Sequence, residues 1–145
     1  MLDAHRSAVH GMAASFYAAD VLREWAPMSS QVRTERLAKR IASGEEVAVV
    51  AEDGVVVGFG SIVPELSELR AVYVRADCGR RGIGTRILDL LEELARGLGL
   101  VELHMNASLN AEAFYRAKGY AAVSYGEHVL DSGKKMACVR MHKLL

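Results

Sequence analysis

Residues 79–85 read Gly-Arg-Arg-Gly-Ile-Gly-Thr and stand directly before the apolar run ILDLLEELA. Glycines at 79, 82 and 84 carry no Cβ, so an anionic ligand can approach the backbone N–H groups closely. Where such a turn opens a helix, those groups sit at its positive end, which favours phosphate. Arg80 and Arg81 add charge at the rim. Two familiar phosphate loops do not fit. In the G-x-x-x-x-G-K-[ST] pattern, Gly79 and Gly84 match but Thr85 and Arg86 take the last two places. In G-x-G-x-x-G, Gly82 and Gly84 match but Ile87 replaces the third glycine. A phosphate cradle of another kind and a plain strand-to-helix turn both remain open.

The elements that must position this loop follow from periodicity and punctuation. Val9, Met12, Ala13 and Phe16 recur at spacings of three and four, which predicts an amphipathic helix ending by Pro27. Ser29 or Ser30 caps a second helix, with Val32, Leu37 and Ile41 inward, Gly44 as its stop and Arg33, Arg36, Lys39 and Arg40 as a solvated basic face. EVAVVAE and VVVGFGSIV flank Asp53-Gly54, a hairpin signal because both central residues accept positive φ. LRAVYV (69–74) predicts a strand into the glycine loop, and Ile83, Ile87, Leu91 and Leu94 mark one face of the helix that leaves it. LVELHMN is a further strand, SLNAEAFYRAKGY a short helix, and the tail a hairpin around DSGKK. This order predicts a mixed α/β sheet, antiparallel within its hairpins and parallel across the 83–96 helix.

The 145 residues are expected to form a single domain, 1–145, with no repeat or linker. Lys+Arg and Asp+Glu balance at 18 each, so no overall field favours nucleic acid or a membrane surface. Cys78 and Cys138 form neither a disulfide framework nor a metal-ligand spacing, consistent with a reducing compartment. Without an export signal or a long apolar span, a cytoplasmic location is expected.

Two motifs together resemble the GNAT superfamily of N-acetyltransferases: LRAVYVRADCGRRGIGTRILDLLEELA, then LVELHMNASLNAEAFYRAKGY. The resemblance runs in order and spacing from Val47 to the C-terminus. It implies about six mostly antiparallel strands flanked by about four helices. The chain starts almost inside the first helix, so the family's usual first strand is either absent or lies upstream of the given start, and Gly79 stands where its relatives usually carry Gln or Arg. An exposed sheet edge at that place suggests a homodimer.

The resemblance also implies acetyl-CoA as donor and a small-molecule or peptide amine as acceptor. Gly79, Arg80, Arg81, Gly82, Ile83, Gly84 and Thr85 are expected around the pyrophosphate, with Val72, Tyr73 and Val74 along the pantetheine arm. Tyr115 matches the family's general acid for the departing thiolate and also lies against the cofactor. Asn110 is a further cofactor contact, while Asn106 and Ser108 flank the same turn as strand end and cap. Glu68 and His104 compete as general base. Tyr17, Trp25, Tyr125 and His128 are candidates for acceptor binding. The demand on the base depends on the acceptor. Deprotonating a lysine-like amine at pH 7 costs roughly 4–5 kcal/mol, an α-amine only about 1–1.5 kcal/mol. A non-catalytic acyl-CoA-binding domain is the alternative reading.

Overall fold

The computed structural model describes all 145 residues. Six strands form one sheet in the order β1-β2-β3-β4-β6-β5. They are β1 (Glu46–Glu52), β2 (Val55–Val63), β3 (Glu68–Val74), β4 (Glu102–Ser108), β5 (Ala121–Val129) and β6 (Lys135–Leu144). Five α-helices accompany them: α1 (Leu2–Met12), α2 (Ala19–Trp25), α3 (Gln31–Ala42), α4 (Ile83–Gly97) and α5 (Glu112–Ala117). Every strand pair is antiparallel except β3–β4. No strand precedes α1, and β1 forms one edge of the sheet.

The β1–β2 hairpin turns where expected, with Asp53 at φ 50° and Gly54 at φ 77°, both in the left-handed region that such a tight turn requires. One face of β2 is built for close approach. A Cβ on Gly60 would lie 2.7 Å from both Ala71 O and Ile87 Cγ2, so α4 seats directly on the sheet backbone. Ile87, Leu88, Leu91 and Ala95 of α4 are completely buried there, with Leu103 and Val139 from the strands. The expected apolar face needs one correction. Leu94 is exposed, while Leu88 and Glu92 turn inward. Glu92 tolerates burial because Lys143 Nζ donates to both of its oxygens, at 2.8 and 2.6 Å.

The opposite face is covered by the N-terminal helices. The single helix expected before Pro27 is two, α1 and α2, and Met12 and Phe16 are exposed rather than inward. After Ala13 the chain leaves the helix axis, and Tyr17 reaches across to donate to Ala137 O of β6 and accept from Leu109 N, both at 2.7 Å. Two strong bonds to distant backbone thus replace a helical turn. α1 itself is fastened to the segment before the glycine loop. Ser7 Oγ accepts from Ala76 N at 3.1 Å, and a Cβ on Gly11 would sit 2.4 Å from Ala76 Cβ.

Ser30 caps α3 by accepting from Arg33 N, and Gly44 ends it at φ 94°. Its inward face is not the expected one. No residue of α3 is buried, and Val32 and Ile41 are exposed. Arg33, Arg36 and Arg40 share a helix face at spacings of three and four with Leu37, and that face borders a cavity while Arg36 and Arg40 stay exposed to solvent.

Candidate active site

β3 and β4 share a single rung, Glu68 opposite His104. Beyond it the strands part. On the β2 side, the register slips between Ser61 and Ile62, leaving Arg70 as an extra residue in β3. Arg75 N donates to Val57 O of β2. By the two-residue alternation of a strand, the backbone groups of Val72 and Val74 then face the gap, where no ladder partner meets them. A split sheet edge inside the molecule is therefore available to an extended ligand.

Two cavities occupy the split. The first, of about 320 Å³, is lined by Val72, Tyr73 and Val74 along one side and by the glycine loop at its end. In that loop Gly82 takes φ 78° and Arg80 φ 60°, and Gly82 precedes α4 with no side-chain cap. The first hydrogen bond of the helix runs from Arg86 N to Gly82 O, so the amides of Ile83, Gly84 and Thr85 have no acceptor within the helix. Free amides at a helix start are the geometry that suits an anion, and this one opens into the cavity. Arg80 lines the cavity; Arg81 does not, because its guanidinium holds Glu52 at 2.8 and 3.1 Å. Gly79 also lines it, and a Cβ there would be 3.3 Å from Ala76 O, tighter than ordinary contact. That crowding gives a local reason for glycine at this position. Asn110, on the wall, has a buried Oδ1 that accepts no hydrogen bond from the protein.

The second cavity, of about 740 Å³, lies toward α3 and the β5–β6 turn. Both cavities include Trp25, Val72, Tyr73, Ser108, Ala111 and Tyr115 among their lining residues. Tyr115 is 6% exposed, and its hydroxyl makes no hydrogen bond to the protein. Burial pushes its phenol above the usual range, so it stands protonated at neutral pH. An unengaged proton donor thus sits where two ligands would meet.

Glu68 lines the second cavity and accepts from Arg70 Nη2 at 2.7 Å. Arg70 also reaches Glu45, 3.4 Å away, and Arg40 binds the same Glu45 oxygen at 3.2 Å. Glu45 is buried, so two guanidinium groups offset the cost of desolvating it. The basic face expected to be solvated is in part a cavity wall. Arg33, Arg36 and Arg40 line it, and only Lys39 of that group lies outside. This was hidden because the carboxylates that draw the arginines in, Glu45 and Asp131, belong to other elements.

His104 is exposed, outside both cavities, with Nε2 2.6 Å from Leu66 O. Asn106 lines the second cavity and Asn110 the first. Among the acceptor candidates, Trp25 and His128 line the second cavity. Tyr17 is held on backbone as described, and Tyr125 donates to Glu112 at 2.9 Å; neither lines either of these two cavities. His5 had no signal in the sequence. It is buried among Tyr73, Trp25 and Arg33, and desolvation together with the arginine charge lowers its pKa to about 4.

Residues 13–145 match the model of the acetyltransferase (GNAT) domain family. The chain belongs to the GNAT acetyltransferases. It is similar to a GCN5-related N-acetyltransferase from Rhodopseudomonas palustris, with 29% identity and a TM-score of 0.88 over 99% of this chain and 87% of that one. The PaiA N-acetyltransferase of Thermoplasma acidophilum, solved with coenzyme A, has 15% identity and a TM-score of 0.71, covering 99% and 90%. YncA of Salmonella typhimurium, solved with acetyl-CoA, has 21% identity and a TM-score of 0.69, covering 99% and 86%. No protein of curated function matches the sequence. The acetyltransferase is thus an acetyl-CoA-dependent enzyme acting on nitrogen. Its first cavity suits coenzyme A: free amides at a helix start, an unpaired strand edge and an orphaned amide oxygen line one channel. No helix of the acetyltransferase is long and apolar enough to cross a membrane.

Proposed function

We propose that the acetyltransferase passes the acetyl group directly to a primary amine of a small molecule or peptide, with no acyl-enzyme stage. The observation that carries this reading is the shared wall of the two cavities at Tyr115. Ser108 on that wall hydrogen-bonds no base that would activate it, so a donor in one cavity and an amine in the other meet directly, and positioning alone can supply much of the rate. When bound, acetyl-CoA supplies the activated thioester.

The chain's own groups have distinct tasks in this reading. The amides of Ile83, Gly84 and Thr85, with Arg80, take the pyrophosphate. The backbone of Val72 and Val74 holds the extended arm in the split, and Asn110 Oδ1 accepts one of its donors. Tyr115 gives its proton to the sulfur that leaves. Glu68, facing the second cavity, removes the proton of the incoming amine, directly or through water. Trp25 and His128 bound the amine's side of the wall. A binding-only domain would have no use for the second cavity or for an unengaged phenol between the two.

The test is thiol release from acetyl-CoA over a panel of primary amines, repeated with Tyr115→Phe. Loss of a general acid lowers kcat by about 10²–10⁴-fold, with acetyl-CoA binding retained. Binding with no turnover on any amine overturns the reading.

A further inference from the structure

Four arginines and four carboxylates line the acceptor cavity, and their pairing leaves one cation over. Arg36 meets Asp131 at 3.4 Å, Arg70 holds Glu68 and Glu45, and Arg40 shares Glu45. Arg33 has no carboxylate within ion-pair distance, and Asp131, the one that acts on it through space, is already held by Arg36. Its Nη1 donates to Pro27 O at 2.7 Å and its Nη2 to His5 Nδ1 at 3.4 Å. Because guanidinium only donates, His5 Nδ1 must be the acceptor, and the imidazole is neutral with its proton on Nε2. Neither partner offsets the charge. The remaining carboxylate, Glu24, stands exposed on α2 in no ion pair, where solvent screens it, whereas Arg33 is half-buried.

Arg33 is also close to the reacting end. His5, which it touches, packs edge-on against Tyr73 at 4.4 Å between ring centroids, and Tyr73 belongs to the wall between the cavities. Two of the five guanidinium N–H groups are engaged, so three remain for a ligand. A planar fork of this kind matches an oxyanion.

We propose that the acceptor is a small primary amine carrying its own anionic group, a carboxylate or a phosphate, which docks on Arg33. This rests on the acyl-transfer reading above and narrows its substrate class. The preferred acceptor is then an amino-acid-like molecule rather than a peptide N-terminus, whose neighbouring carbonyl is already an uncharged amide.

The experiment measures kcat/KM at saturating acetyl-CoA for amino acids paired with their α-carboxamides, and for an aminoalkyl phosphate against the matching amino alcohol. Rates are compared across pH so that differences in amine pKa are removed. The anionic member of at least one pair is expected to win by ~10–100-fold, the range of a charge-assisted hydrogen bond. In Arg33→Gln the anionic member is expected to lose about tenfold or more relative to its neutral partner, and an advantage that survives the substitution overturns docking on Arg33. Should Arg33→Gln fold poorly by thermal melting, the wild-type pairs decide by themselves. Equal rates within every pair, or an equal loss on both members in the variant, overturn the anionic acceptor and leave acyl transfer standing. No acetylation of any amine, with acetyl-CoA still bound, overturns both.

Discussion

Glu68 and His104 face each other across the one rung that joins β3 to β4, yet only Glu68 looks into a cavity. Both were candidates for the base, and their side chains separate them. Glu68→Gln is expected to lower kcat/KM by about tenfold or more on alkyl amines, where deprotonation at pH 7 costs roughly 4–5 kcal/mol. The loss on α-amines, which deprotonate more readily, is smaller. His104→Gln leaves both unchanged. Initial rates with an alkyl amine and an amino acid check this, and a larger loss in the histidine variant would reverse the assignment.

Asn110 Oδ1 is buried without a donor, which costs about 1–3 kcal/mol in the free protein. If a coenzyme A donor satisfies it, Asn110→Leu should raise the melting temperature of the free enzyme and weaken coenzyme A by roughly tenfold. Calorimetric titration and thermal melting read the two effects separately. A variant that melts lower and binds normally would make Asn110 purely structural.

His5 links stability to pH. Its pKa is about 4 in the folded protein against 6.5 for the free side chain, so between those values the unfolded chain binds more protons. Stability is therefore present in full above pH 6.5 and is lost as pH falls toward 4. The loss attributable to this one group reaches up to about 3 kcal/mol. Urea midpoints between pH 4 and 7 should slope less in His5→Asn, which keeps a hydrogen-bond acceptor near the Nδ1 position. An unchanged slope would assign the acid sensitivity to other groups.

Gly60 tests the seat of α4. A Cβ there meets Ala71 O and Ile87 Cγ2 at 2.7 Å and Leu91 Cδ1 at 2.8 Å. The carbonyl cannot yield without moving β3, so Gly60→Ala should cost about 1–3 kcal/mol in denaturant unfolding. Because β3 also forms one wall of the split, the variant should bind acetyl-CoA more weakly. Retained stability would mean that α4 can slide on the sheet.

What was legible in the sequence was mostly local. Asp53-Gly54, the glycines after β3 and the apolar spacing of α4 each state their conformation within a few residues. Gly79, Arg80, Gly82, Ile83, Gly84, Thr85, Asn110 and Tyr115 do line the first cavity, because the motifs that named them lie next to the strands that form it. The acceptor side was less readable. Arg33 and Arg40 look like an ordinary solvated face until Glu45 and His5 are brought against them by the fold. Tyr17 carried no sign that its hydroxyl would bind backbone 120 residues away. Long-range pairing, not composition, decides such positions.

The contact of Gly11 with Ala76 has a consequence for how this enzyme can acquire new substrates. Since α1 and the approach to the glycine loop interlock without room for a methyl group, a mutation that reshapes α1 for another acceptor also disturbs the grip on the donor. α3 carries no such debt: it buries none of its residues, yet three of its arginines face the amine's cavity. Adaptation to a new acceptor is therefore channelled into α3, where the donor's hold stays untouched while the charge offered to the amine is rewritten one side chain at a time.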